Sequence, residues 1–216
     1  MKKRIFLLIL TYAFFFAASC LADLIPINAG DKVKVNYSTD TSGDTNGIIY
    51  PLEVMVGNSY SFFTFCIEFN GPLDQSGTEY IVDSISHYVD SGGLNNENPP
   101  KGQLSYTAAA IYYNYLTTNG SLGPALDYQQ AIWIAEKEDQ AFLPPSENAK
   151  TIYKNFAGKG INNGWNEVFA LNISYLDGRE AQSLLVRNPV PEPVSMLLFG
   201  TGLVGVGGYV RRKFKK

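Results

Sequence analysis

Apolar and polar residues alternate with period two along Lys32-Val33-Lys34-Val35-Asn36-Tyr37, and a run rich in Asp, Thr, Ser and Gly follows from Asp40 to Gly47. This reads as a strand and a turn, because successive strand side chains face opposite ways and small polar residues favour tight turns. Leu52 to Val56 and Tyr60 to Phe69 predict two further strands, joined by Gly57-Asn58 as a hairpin turn. Gly71 to Gly77 and Ser91 to Gly102 read as loops, the second, with its Asn and Pro residues, as a mobile insertion.

The period changes at Leu104. Thr107, Ala108, Ile111, Tyr112 and Tyr115 fall on one broad face of a helix. A second helix is expected from Asp127, whose carboxylate would cap it, through Trp133 towards Gln140. Pro144-Pro145 ends it, and Ser146 caps a third helix that carries Ile152 and Phe156. Strands return at Val168 to Tyr175 and Ala181 to Val186, with Asp177-Gly178 between them. The fold class expected is α+β: an antiparallel β-sandwich or barrel-like framework with an inserted helical block.

The two ends of the chain have a different character. Lys2, Lys3 and Arg4 precede an apolar run from Ile5 to Ala18, and Cys20-Leu21-Ala22 carries small residues at both ends of a cleavage tripeptide. A secretory signal peptide cut after Ala22 is expected, with lipoprotein processing at Cys20 as the rival. At the other end, Pro191-Glu192-Pro193 leads into 17 uncharged residues, Val194 to Val210, and then Arg211, Arg212, Lys213, Lys215 and Lys216. A run of that length is at the lower limit for a transmembrane helix, its five glycines are tolerated in such helices, and the basic cluster would hold the C-terminus in the cytosol. The order Pro-Glu-Pro, span, basic end resembles the PEP-CTERM sorting signal of exopolysaccharide-producing Gram-negative bacteria. That resemblance covers Val190 to Lys216, and residues 189 to 216 are read as the sorting signal. It implies as partner an exosortase-type transpeptidase that cuts near Pro191-Glu192-Pro193, inner-membrane anchoring before processing with the domain in the periplasm, and then a place at the cell surface or in the extracellular matrix.

Removing both ends changes the charge. The full chain has 17 basic and 20 acidic residues; the segment from Asp23 to Pro193 keeps 9 basic against all 20 acidic ones, a net of about −11. Nucleic acid is therefore not an expected partner. Residues 23 to 188 suffice for one domain with an ordinary core, and with Cys20 removed Cys66 would be the single cysteine. The chain's one histidine, His87, and one mature cysteine are too few for a zinc site made without carboxylates, and no nucleotide fingerprint is present, so no metal and no cofactor is expected. Asp40, Ser42 and Asp44 suggest a calcium loop only superficially, because Thr45 stands where an EF-hand needs Gly and Pro51 where it needs Glu.

Two short motifs carry candidate chemistry: Phe65-Cys66-Ile67-Glu68 in a strand, and Tyr128-Gln129-Gln130-Ala131-Ile132-Trp133 in a helix. Together they resemble the thioester domains of bacterial surface adhesins, which pair an aromatic-Cys strand with a Gln-x-Ala-Ile-Trp helix. The resemblance implies Cys66 as the thiol and Gln129 as the acyl donor of an internal thioester. Phe65, Glu68, Ala131, Ile132 and Trp133 would be its context. The pattern departs at Tyr128, where those adhesins usually have Thr. A thiol can displace ammonia from a carboxamide only where the fold enforces proximity, and the product must be kept dry until a surface amine or hydroxyl arrives. Tyr60, Phe62, Phe63, Phe65, Tyr128 and Trp133 are candidates for a drying aromatic wall. Such a protein would be a single-use anchor and not an enzyme.

Other readings stay open. Cys66 can be a buried structural residue with Gln129 bonded to backbone, leaving a structural or exopolysaccharide-binding surface protein. A Cys66-His87 hydrolase with Asp83 or Asp90 as orienting acid is a distant third, since an aromatic strand is not the electropositive helix start that activates thiols.

Overall fold

The computed structural model describes residues 27–37, 51–57, 60–69, 71–74, 76–90, 102–138, 144–159 and 164–187. The expected signal peptide, calcium-like turn, transmembrane helix and basic tail lie outside the described residues. Among the described residues no helix is long and apolar enough to cross a membrane.

Among the described residues nine elements follow one another: β1 (Lys32–Tyr37), β2 (Leu52–Val56), β3 (Tyr60–Thr64), β4 (Ser76–Ser86), α1 (Tyr106–Thr118), α2 (Ala125–Glu136), α3 (Glu147–Phe156), β5 (Val168–Tyr175) and β6 (Leu184–Arg187). The strands form a single antiparallel sheet in the order β3-β2-β1-β4-β5-β6. The α+β expectation holds, with the helices inserted between β4 and β5. Val56 pairs with Tyr60 across a turn that opens on Gly57, whose φ of +60° suits glycine.

The longest described strand, β4, is not among the strands that the sequence pattern predicts, and its first two residues fall in the stretch Gly71 to Gly77 that reads as loop. It pairs with β1 through its first half and β5 through its second. A register shift between Val82 and Ser84 lets one strand serve both neighbours, since a bulge bends the strand. That irregularity also breaks the alternation: Tyr80 and Val82 face the core, then Asp83 and Ser84 interrupt.

The sheet then nearly closes on itself. β3 ends at Thr64, earlier than the expected Phe69, and the next residues turn from β2 to β6. Leu185 donates its N–H to the Phe65 carbonyl at 3.0 Å, Ile67 donates to the Ser183 carbonyl at 3.0 Å, and Cys66 stands opposite Leu184. The Thr64 hydroxyl adds a bond to the Leu185 carbonyl at 2.6 Å. β6 likewise begins later than expected, at Leu184, because residues 181–183 are occupied with this seam and the turn before it.

Two apolar clusters lie on either side of the seam. One fills the barrel and includes Val33, Val35, Leu52, Val54, Tyr80, Val82, Leu171, Ile173, Leu184, Val186, Cys66 and Trp133. The other joins the helices to the outside of the sheet through Phe65, Ile67, Leu104, Ile111, Tyr112, Tyr128, Ile132, Ile152, Val168 and Leu185. Alternate residues of β5 and β6 and of the Phe65–Ile67 segment serve the two clusters in turn, as period two requires.

Ser105 and Ser146 cap α1 and α3, accepting from the N–H groups of Ala108 and Ala149, each at 2.9 Å. α2 differs from expectation. It begins at Ala125 behind Pro124 and stops at Glu136, where Lys137 takes the left-handed conformation with φ of 62°. Asp127 is not its cap; its carboxylate accepts from Ser146 Oγ and Asn148 Nδ2, each at 2.6 Å, and so ties α2 to α3.

Candidate functional site

The seam dictates what Cys66 needs. Phe65 and Ile67 spend their carbonyl and N–H on β6, so the N–H and carbonyl of Cys66 between them point away from β6. Cys66 is 1% exposed, and buried backbone groups without partners are costly. The fully buried side chain of Gln129, from the second turn of α2, supplies both partners. Its Oε1 accepts from Cys66 N at 2.8 Å and its Nε2 donates to Cys66 O at 2.7 Å. The carboxamide thus takes the place of a neighbouring strand for one residue. The fold brings together the two residues paired on sequence grounds, 63 positions apart.

A second contact lies one turn on. Trp133 Nε1 donates to the Glu68 carbonyl at 3.2 Å, while its ring packs edge-on to Phe69 with centroids 4.8 Å apart. Gln129 and Trp133 are four residues apart on a helix, a rise of about 6 Å. Cys66 and Glu68 are two apart on a segment that bends at Ile67, and the backbone of each meets one of these two side chains, which gives the Cys-x-Glu and Gln-x-x-x-Trp intervals a geometric meaning. Ala131 and Ile132, both fully buried, face the helical cluster and hold α2 down.

Glu68 is the charged oddity of the site. Its carboxyl is 4% exposed and accepts from Ser183 N at 3.3 and 3.4 Å, with no cation in contact among the described residues. Burial pushes it up from 4.5 to about 8, the Ser183 hydrogen bonds pull the other way, and the Glu138 and Asp90 carboxylates add to the rise. At neutral pH it is therefore mostly the uncharged acid. Its backbone carbonyl also accepts from Gln182 Nε2. Gln182, Ser183 and Leu184 were not candidates on sequence grounds; only the unusual burial of two polar residues just before a strand marks them.

The expected aromatic wall divides in two. Trp133 lies in the barrel cluster with Cys66, and half-buried Tyr60 and Phe62 pack against that cluster. Phe65 and Tyr128 belong to the helical cluster, linked through Tyr115 at 4.9 and 5.1 Å between centroids, and Phe63 is 39% exposed. The Tyr128 hydroxyl donates to Asn114 Oδ1 at 3.0 Å and accepts from Leu122 N at 3.1 Å, tying α2 to α1 and the loop between them.

His87 is not brought to Cys66. Its ring is stacked on Trp165 at 3.9 Å and on Phe169 at 4.6 Å, and Nε2 lies 2.9 Å from the Trp165 carbonyl. Asp83 accepts from Ser174 Oγ instead, and the Asp90 N–H is bonded to Asn172. Nothing here orients an imidazole towards the thiol, so no hydrolase dyad is assembled.

Residues 189–213 match the PEP-CTERM protein-sorting motif. This motif is an exosortase substrate signal, and it marks an exported, surface-sorted protein. It includes Pro191, Glu192, Pro193, Arg211, Arg212 and Lys213. No curated protein sequence matches the chain. Solved structures similar to it are thioester domains and adhesin domains of bacterial surfaces. The N-terminal domain of the Streptococcus pyogenes pilus tip adhesin Cpa is 15% identical, with a TM-score of 0.48 over 78% of this chain and 98% of that one. The N-terminal thioester domain of a Clostridium perfringens surface protein is 13% identical, with a TM-score of 0.47 over 71% and 97%. That of the fibronectin-binding protein SfbI from Streptococcus pyogenes is 16% identical, with a TM-score of 0.43 over 78% and 98%.

Proposed function

We propose that the exported protein forms an internal thioester between Cys66 and Gln129 and uses it as a single-use covalent anchor to a surface amine or hydroxyl. The observation that carries this reading is the capture of the buried Gln129 carboxamide by the N–H and carbonyl of Cys66 itself. In the first step the Cys66 Sγ–Gln129 Cδ bond forms and the Cδ–Nε2 bond breaks. The thiol proton leaves with the nitrogen as ammonia. The Cys66 N–H already holds Oε1 and would hold the oxyanion, as the nucleophile's own N–H does in serine proteases. In the second step a target amine attacks Cδ, the C–S bond breaks, and the amine's proton ends on sulfur. An amide joins protein to target, and nothing is regenerated, so the protein does not turn over.

Location completes the reading. The chain would be held in the inner membrane with residues 23 to 188 in the periplasm until an exosortase-type transpeptidase cuts near Pro191–Pro193. The domain would then pass to the cell surface or an exopolysaccharide-containing matrix. Retention of Arg211 to Lys216 in mature protein from a strain with the sorting enzyme would overturn this part.

One observation favours a second reading. Both polar atoms of Gln129 are satisfied by backbone, which is also what a purely structural glutamine needs, and the domain would then serve as a non-covalent matrix component. Intact mass decides. The thioester reading expects a mass one ammonia below the sequence, a thiol alkylated only after methylamine, and loss of both signals in Cys66→Ala. A mass equal to the sequence leaves the structural reading.

A further inference from the structure

Helix α2 lies along the Cys66–Glu68 segment and touches its backbone through two side chains only one turn apart, Gln129 and Trp133. These two do different jobs. Gln129 reaches Cys66 through three rotatable side-chain bonds, so its amide can follow a sliding or tilting helix and still keep its hydrogen bonds. Ala131 and Ile132 pack α2 against the helical cluster, and the flexible Gln129 contact leaves the last fraction of its register on the Cys66–Glu68 segment to a second contact. The indole of Trp133 is short, planar and 8% exposed, and its ring is wedged edge-on against Phe69. Its N–H meets the Glu68 carbonyl, which Gln182 Nε2 reaches as well from the residue before the seam.

We propose that Trp133 is a positioning residue for the Cys66–Gln129 condensation: its N–H bond to the Glu68 carbonyl sets the register of α2 on the seam and so holds the Gln129 carboxamide at attack distance from the thiol. This inference rests on the thioester reading. Reacting atoms must lie about 3–3.5 Å apart, and a misplacement of about 1 Å costs on the order of 100-fold in rate. Slippage permitted by losing the second contact therefore appears in the rate of ring closure before it appears in stability.

The test replaces the indole N–H alone. Trp133→3-benzothienylalanine puts sulfur in place of the N–H and keeps the ring's shape. Ammonia opens the thioester of the full protein by aminolysis, regenerating the Gln129 amide and the Cys66 thiol. Desalting then lets closure be followed by intact mass. The expected result is closure at least about fivefold slower in the Trp133 variant, with the melting temperature of the opened protein lowered only by the few degrees that one lost hydrogen bond costs. Gln182→Met, which removes the other donor to the same carbonyl, closes at the wild-type rate. Equal rates for the Trp133 variant and wild type overturn the proposal, as does equal slowing in Gln182→Met. A wild-type protein that never shows the ammonia deficit removes the thioester reading itself, and the positioning role falls with it.

Discussion

Replacing Glu68 by Gln should abolish a specific part of the protein's pH dependence. The carboxyl is 4% exposed, and its value rises from 4.5 to about 8, chiefly through burial. A raised value means that the folded state holds the proton more tightly than the unfolded chain. Between pH 4.5 and 8 the folded state therefore binds more protons, and stability falls as pH rises through that window. Each pH unit of difference is worth 1.36 kcal/mol, so full ionisation costs roughly 5 kcal/mol, of the same order as the whole stability of many domains. Glu68→Gln keeps an oxygen for the Ser183 N–H and removes the ionisation. Urea unfolding followed by fluorescence of Trp133 and Trp165, at pH 5 and at pH 8.5, reads the difference. Wild type and variant should be similar at pH 5, while at pH 8.5 the variant should be more stable by about 3–5 kcal/mol, less about 1 kcal/mol if its added N–H₂ lacks a partner. Parallel stability curves across this range would show that Glu68 titrates normally and that the site is wetter than its burial indicates.

Gln129→Glu should yield a protein with the full sequence mass and no amine adduct by mass spectrometry, since a carboxylate does not acylate a thiol; a persistent adduct refutes Gln129 as acyl donor. Asp127→Ala removes two of the three described side-chain hydrogen bonds that join α2 to the start of α3, leaving that of Gln130 Oε1 with the Ser146 N–H, and should cost about 2–3 kcal/mol in denaturant unfolding, where an unchanged midpoint would contradict the role given to that carboxylate. Gly164 has a φ of +85°, and a Cβ there would overlap the Tyr113 ring, so Gly164→Ala should lower stability by at least about 2 kcal/mol; an unshifted melt would refute that packing. His87→Ala should leave the yield of methylamine adduct unchanged while costing about 1–2 kcal/mol from its two lost ring stacks, whereas loss of the adduct would bring His87 back into the chemistry.

Much of this was legible in local pattern. β1, β2 and β5 announce themselves by alternation or by β-branched and aromatic runs, and Ser146 and the proline pair before it mark the third helix. Cys66 and Gln129, paired through the resemblance of their two motifs to thioester domains, stand within hydrogen-bond reach of each other. What escaped depends on long-range partners. β4 serves β1 and β5 in turn, so its bulge breaks the very alternation by which strands are found. The end of β3 at Thr64 is set by β6, 120 residues away in sequence, since Leu184 stands opposite Cys66. Asp127 looked like a cap because only the local helix was visible; its partners come from the next one.

The seam also explains why a reactive pair would sit where it does. A strand in the middle of a sheet has both edges paired, and its backbone could not receive a side-chain amide. An open edge would expose the amide to water. Cys66 stands at a place where a closing sheet gives it one strand neighbour, Leu184, and leaves its other edge to a helix. That half-paired position lets Gln129 approach in the plane of the sheet while the barrel cluster and the helical cluster exclude solvent from the two faces. For the proposed thioester the same closure would make access the controlling step. With Cys66 and Gln129 both at most 1% exposed, a target amine would reach such a bond only when the local packing opens. Methylamine should therefore react faster than a bulky amine of equal basicity, and mild denaturant well below the unfolding midpoint should narrow that gap. Identical rates for small and bulky amines in native buffer would mean that the bond is already open to solvent, contrary to the burial on which the protective role of the fold depends.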